Sequence, residues 1–166
     1  MMAKVGLIMG SKSDFDIVKE SIDTLKFFGV ECDVIVSSAH RTPEQTIEWT
    51  KSAKAKGISV IIAFAGAAAH LAGVVASKTN LPVVAVPIAS TTLGGLDSLL
   101  SSVQMPGGIP VATMAIGKAG AKNAAIYACQ IIALHDTLLY EKLELYRKEM
   151  ADKIAKDNET LKSLID

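Results

Sequence analysis

Neither sign of charge is in excess in this sequence: Lys plus Arg and Asp plus Glu number 17 each, for a formal net charge of zero. The chain therefore lacks the basic surplus that draws in nucleic acid, and it lacks the block of like charge that reads as a tail. Cysteine is scarce too. Cys32 and Cys129 stand far apart, with no CxxC spacing and no His/Cys cluster at metal-ligand intervals. Two reduced, buried thiols in a cytosolic protein are expected. The apolar run within residues 1–9 is too short for the core of a signal peptide, and no stretch approaches the length of a membrane span. Also missing are a Walker loop, a GxGxxG turn, a GxSxG elbow and an HExxH helix. These absences argue against nucleic acid, membrane, metal and redox cofactor, and the expected location is the cytoplasm.

Apolar residues are plentiful. Half of the 166 residues are hydrophobic and only 20% are charged. A single domain of this length buries a limited fraction of its surface, so the surplus is expected to meet other copies in a homo-oligomer.

Short apolar runs alternate with longer helical patterns. Residues 5–9, 32–36, 60–65, 83–86 and 111–116 are strand-length, rich in Val and Ile, and apolar on successive residues, as in parallel strands covered on both faces. Helix-length segments follow each: residues 15–28, 44–56, 70–78, 96–104 and 121–134. Thr42 and Pro43 read as an N-cap and a first-turn proline, and Gly29 and Gly57 sit where helices stop. The order predicts an α/β fold, a doubly wound parallel sheet of about five strands in one domain over residues 1–135. Residues 136–166 shift to Leu, Lys and Glu. There Leu139, Leu143, Tyr146, Met150 and Ile154 form one apolar stripe, so a helical extension is expected, docked on its own domain or on a neighbouring subunit.

In such sheets ligands collect outside the carboxyl ends of the strands, and three unusual segments stand there. After the first strand, Gly10 permits close backbone approach, Ser11 and Ser13 add hydroxyls, and a helix N-terminus follows, a combination suited to phosphate. Asp14 suits ribose hydroxyls better than phosphate; Ser11 or Ser13 could instead simply cap the helix. After the second strand come Ser38, His40 and Arg41. The histidine can transfer protons near neutral pH, and the arginine can hold a phosphate or carboxylate with paired hydrogen bonds. After the third come Gly66, three alanines, His70 and Leu71, small residues against which a ring could lie, with His70 expected to orient more than to react. A fourth region, residues 90–108, ends in a Pro-Gly-Gly run that could close over a site. The residues alone suggest a phosphorylated small substrate and histidine-based proton transfer without a cofactor.

Taken together, the GSKSD run at residues 10–14, SAHRTP at 38–43, AAHL at 68–71, GLDSLL at 95–100 and VQMP at 103–106 resemble one family. It is the N5-carboxyaminoimidazole ribonucleotide mutase family, the class I form of the bacterial phosphoribosylaminoimidazole carboxylase catalytic subunit, and the likeness runs from about residue 4 to 135. The resemblance implies a flavodoxin-like fold, a homo-octamer with shared active sites, and transfer of a carboxylate from an exocyclic nitrogen to ring carbon C4 in purine synthesis. It implies no metal and no cofactor, and a separate ATP-dependent synthase that supplies the substrate. By the same resemblance His40 is the catalytic acid and base. Ser11, Ser38 and Arg41 hold phosphate, Asp14 the ribose, and residues 66–71 the ring, while residues 104–106 close from another subunit. Two positions depart from the family pattern, which has glycine at Ala67 and proline at Ala72. An added methyl at Ala67 crowds the turn if that position needs positive φ.

Overall fold

A computed structural model describes residues 3–165. The strands are β1 (Lys4–Met9), β2 (Glu31–Val36), β3 (Ile58–Gly66), β4 (Val83–Ile88) and β5 (Ala112–Thr113). The helices are α1 (Phe15–Phe28), α2 (Pro43–Ser52), α3 (Leu71–Ala76), α4 (Leu96–Val103), α5 (Lys118–Ala133) and α6 (Thr137–Ile165). All neighbouring strand pairs are parallel, in the order β2-β1-β3-β4-β5. This is the flavodoxin-like order, and the direction of winding reverses between β1 and β3.

Alternate residues of the central strands feed two cores. Val60, Ile62 and Phe64 of β3 join Val5, Leu7 and Met9 of β1 against α1 and α5, whose Ala121, Ala124, Ala125 and Ala128 allow close approach. Ile61 and Ala63 face the other way, with Ile8, Trp49 of α2, and Leu71 and Val75 of α3. Gly6 leaves the space that Trp49 fills: a β-carbon there would lie 2.8 Å from the indole ring. Burial pushes the Cys129 thiol up to about 12 and raises Cys32 as well.

Three elements differ from the sequence expectation. The edge strand β2 is not covered on both faces, for Val34 and Val36 are 40% and 48% exposed. The fifth strand shrinks from the expected residues 111–116 to two residues. Pro87 explains this: its carbonyl accepts from Gly117 N–H, so its nitrogen faces the same edge but has no hydrogen to give. The Thr42 side chain does not cap α2. Its Oγ1 accepts instead from Ser38 N–H at 2.9 Å, closing the loop that carries His40 and Arg41. Gly29 and Gly57 end their helical segments in the left-handed conformation, at φ 77° and 82°.

The stripe on α6 divides in two. Leu139 and Leu143 are buried, and Tyr146 packs edge-on against Phe28 with centroids 5.4 Å apart. Beyond Tyr146 every described residue of α6 is exposed, Met150 and Ile154 included.

Candidate active site

The loops after β1, β2 and β3 meet at the reversal of winding and enclose a cleft of about 350 Å³. Gly10, Ser11, Ser13, Asp14, Ser38, His40, Arg41, Gly66, His70 and Leu71 all line it. A second cleft, about 420 Å³, lies off the amino end of β4, where its lining includes Thr79, Asn80 and Tyr127 but no charged side chain. The first brings together His40, Arg41, Asp14 and His70 at the carboxyl ends of the strands and is the candidate site.

In the first loop, a 3-10 turn over Lys12–Asp14 intervenes between β1 and α1. Ser11 caps this turn, accepting from Ser13 N–H at 3.3 Å and from the Ser13 hydroxyl at 2.8 Å, so it both caps and lines the cleft. Burial raises the Asp14 carboxyl above the ordinary carboxylate value. Hydrogen bonds from Ser13 and the Ser11 backbone, and the Arg41 charge, oppose the shift without cancelling it.

His40 and Arg41 are adjacent, yet they engage opposite loops. Arg41 Nη2 donates to the Gly10 carbonyl at 2.9 Å, and its Nε approaches Ser38 Oγ at 3.4 Å. His40 Nε2 lies 2.9 Å from Nδ1 of His70, with the rings nearly perpendicular at 86°. The two nitrogens can be bonded only when one carries a hydrogen and the other does not. One hydrogen shared between the two nitrogens therefore holds the rings together.

The third loop is built from small residues because space is short. A β-carbon on Gly66 would collide with the Ser90 side chain. Ala67 adopts φ +51°, the only non-glycine residue at positive φ among those described. Ala72, the other departure from the family pattern, is buried at the second position of α3.

Sequence reasoning named Ser90 only as the start of the fourth region, not as a binding residue; it lines the cleft two residues past the end of β4. The rule that singled out the other three loops applies to it equally. It also missed the direct bond between the two histidines. Residues 104–106 do not line the cleft; Met105 Sδ instead lies against Gly73 of α3. Among the described residues no group of three or more His, Cys, Asp or Glu side chains could hold a metal ion, and no helix is long and apolar enough to cross a membrane.

Fold and cleft together define a flavodoxin-like α/β protein with an arginine and a histidine pair at its strand ends. Residues 4–153 match the AIR carboxylase family, and the chain belongs to that family. It is 53% identical to the N5-carboxyaminoimidazole ribonucleotide mutase of Vibrio parahaemolyticus, across 91% of this chain and 94% of the relative. Identity to the protein of the same name from Saccharolobus solfataricus is 52%, across 98% and 94%. A longer relative, the bifunctional purine synthesis protein purC/E of Dictyostelium discoideum, is 49% identical; the match covers 94% of this chain and 16% of that one. The crystal structure of Treponema denticola PurE2-S38D superposes with a TM-score of 0.89 at 31% identity, covering 97% of this chain and 99% of that one.

Proposed function

We propose that this protein is an isomerase, an intramolecular transferase that converts N5-carboxyaminoimidazole ribonucleotide to 4-carboxy-5-aminoimidazole ribonucleotide in purine biosynthesis. The observation that carries the reading is the division of labour between His40 and Arg41: one loop sends an imidazole to His70 after β3 and a cation to Gly10 after β1, and all four residues line one cleft. Relatives about half identical over nearly the whole chain bear the mutase name.

In this reading Arg41, Ser11, Ser13 and Ser38 hold the 5′-phosphate, with the Gly10 backbone close beside it. Asp14 accepts from the ribose hydroxyls. Gly66, His70 and Leu71 lie along the imidazole ring. The carbamate C–N bond breaks to release carbon dioxide, and protonated His40 gives its proton to the departing nitrogen. Carbon C4 then attacks the carbon dioxide, and His40 takes the proton from C4, returning to its starting state. The accepting carbon waits beside the freed molecule, so proximity supplies much of the rate. His70 holds the His40 ring through the bond between their nitrogens.

We extend the reading to assembly and setting. The exposed apolar residues Leu96, Leu100 and Val103 of α4, with Met150 and Ile154 of α6, suit contacts between copies in a homo-octamer. Residues 104–106 would approach the cleft from a neighbouring copy. A separate ATP-dependent synthase supplies the labile substrate, and the enzyme works in the cytoplasm.

The test follows carboxylate transfer from freshly made N5-carboxyaminoimidazole ribonucleotide, without ATP or bicarbonate, in the wild type and His40→Asn. Conversion by the wild type and its loss in the variant are expected. Activity only on aminoimidazole ribonucleotide with high bicarbonate would instead make the protein a direct carboxylase. Silence on both substrates would make it a binding module.

A further inference from the structure

Ala69 is buried, and a buried backbone N–H requires a partner. Here the partner is a side chain: the Ala69 N–H donates to Ser101 Oγ of α4 at 3.0 Å. The Ser101 hydroxyl has one hydrogen of its own. Its shortest acceptor is the Asp97 carbonyl at 2.6 Å, with the carbonyls of Ser98 and Ala67 farther off at 3.3 and 3.4 Å. The oxygen is thus fixed on its helix by donation and left free to accept from the loop. α4 is moored in turn, because Ser98 Oγ shares its hydrogen between the Gly95 carbonyl at 2.8 Å and the carbonyl of Ile88, the last residue of β4, at 3.0 Å. Support runs from a central strand through Ser98 to Ser101 and on to Ala69.

The loop held in this way is one that needs holding. Alanine leaves the left-handed region readily when nothing constrains it, and Ala67 sits there at φ +51°. His70 follows closely, its N–H donating to the Ala68 carbonyl at 2.8 Å. A tilt of the Ala69 peptide therefore carries the His70 ring away from His40. Ser101 itself does not line the cleft, so any influence it has on the chemistry passes through the loop.

We propose that Ser101 is a positioning residue for the histidine pair: its hydroxyl holds the strained Ala67 turn through the Ala69 amide and so sets the approach of His70 to His40. The kinetic consequence rests on the mutase reading; the effect on the two imidazoles does not.

Three forms of the full chain test this: Ser101→Ala, Ser101→Thr, and Ser101→Ala combined with Ala67→Gly. Ser101→Ala should lower kcat for carboxylate transfer about tenfold while KM stays within about twofold, as for a displaced acid–base group. Ser101→Thr keeps the hydroxyl and should restore kcat. Ala67→Gly in the Ser101→Ala background should restore most of it too, because glycine adopts positive φ without a clamp. In parallel, imidazole ¹⁵N shifts should show one donor nitrogen facing one acceptor nitrogen in the wild type. That signature should be lost in Ser101→Ala and regained in the other two. The shifts are read without turnover, so a wild type silent on the substrate whose histidine pair still responds to Ser101 would sink the mutase reading alone. Unchanged shifts in Ser101→Ala would overturn the positioning role, and so would a kcat loss that follows a fall in Tm and that threonine does not restore.

Discussion

His40 Nε2 and His70 Nδ1 lie 2.9 Å apart, although 30 residues separate them in the chain. The bond joins the loops after β2 and β3, and it fixes which nitrogen of His40 is engaged and which way its ring faces.

Loss of either histidine should therefore show in turnover, but unequally. His40→Asn removes the proton carrier and should lower kcat by about 10²–10⁴-fold, with substrate-analogue binding retained. His70→Ala removes the partner of His40 and a contact to the ring, and should lower kcat by about tenfold, the scale of a misplaced group, with a rise in KM. Steady-state kinetics with calorimetric binding of the product separate the two effects.

Arg41 bridges two loops through the Gly10 carbonyl while keeping further N–H groups for an anion. Lysine carries the charge but lacks the planar fork. Arg41→Lys should raise KM about tenfold or more with little change in kcat, as expected for a lost charge-assisted hydrogen bond. Inorganic phosphate should also inhibit the variant more weakly.

The Asp14 carboxyl is raised by burial, so between its unfolded and folded values the folded chain holds a proton that the unfolded chain has released. Stability present below the unfolded value is then lost as the pH rises through the folded value. At neutral pH the ionised, half-buried carboxylate is a cost to the fold. Asp14→Asn should raise Tm at pH 7, with the gain shrinking as the pH falls through the carboxylate range, while KM rises because a neutral amide with one acceptor oxygen replaces the charged carboxylate. Thermal melts across pH check the sign.

Gly6→Ala tests the packing beneath the site. The new methyl would meet the Trp49 ring at 2.8 Å in a close-packed core. Unfolding in urea should show a loss of about 1–3 kcal/mol, the usual cost of overpacking, with a change in Trp49 fluorescence.

Much of the site was legible because its residues interrupt apolar runs. Gly10 follows one buried strand and Gly66 ends another, His40 and Arg41 follow the apolar run of the edge strand β2, and parallel topology sends all three strand ends to one edge. The positive φ of Ala67 was foreseeable from its departure from the family's glycine. Ser90 was not singled out, although it follows β4 just as closely, because a lone serine in a Ser/Thr run carries no chemical signature. The fifth strand was overestimated because Val111, Ala112 and Thr113 read as strand, whereas the missing donor belongs to Pro87 on the neighbouring strand.

By itself the sequence determined the alternation of strands and helices, the three ligand-end loops and the family. All of these rest on local periodicity and on residue types whose chemistry does not depend on their neighbours. Only the tertiary structure decided that His40 turns to His70 while Arg41 turns to Gly10, that Ser101 supports the loop between them, and that the α6 stripe is half buried and half free. Each of these depends on where β1, β2, β3 and α4 come to lie in space. A contact between loops distant in sequence is set by sheet order and helix docking, which no local pattern encodes.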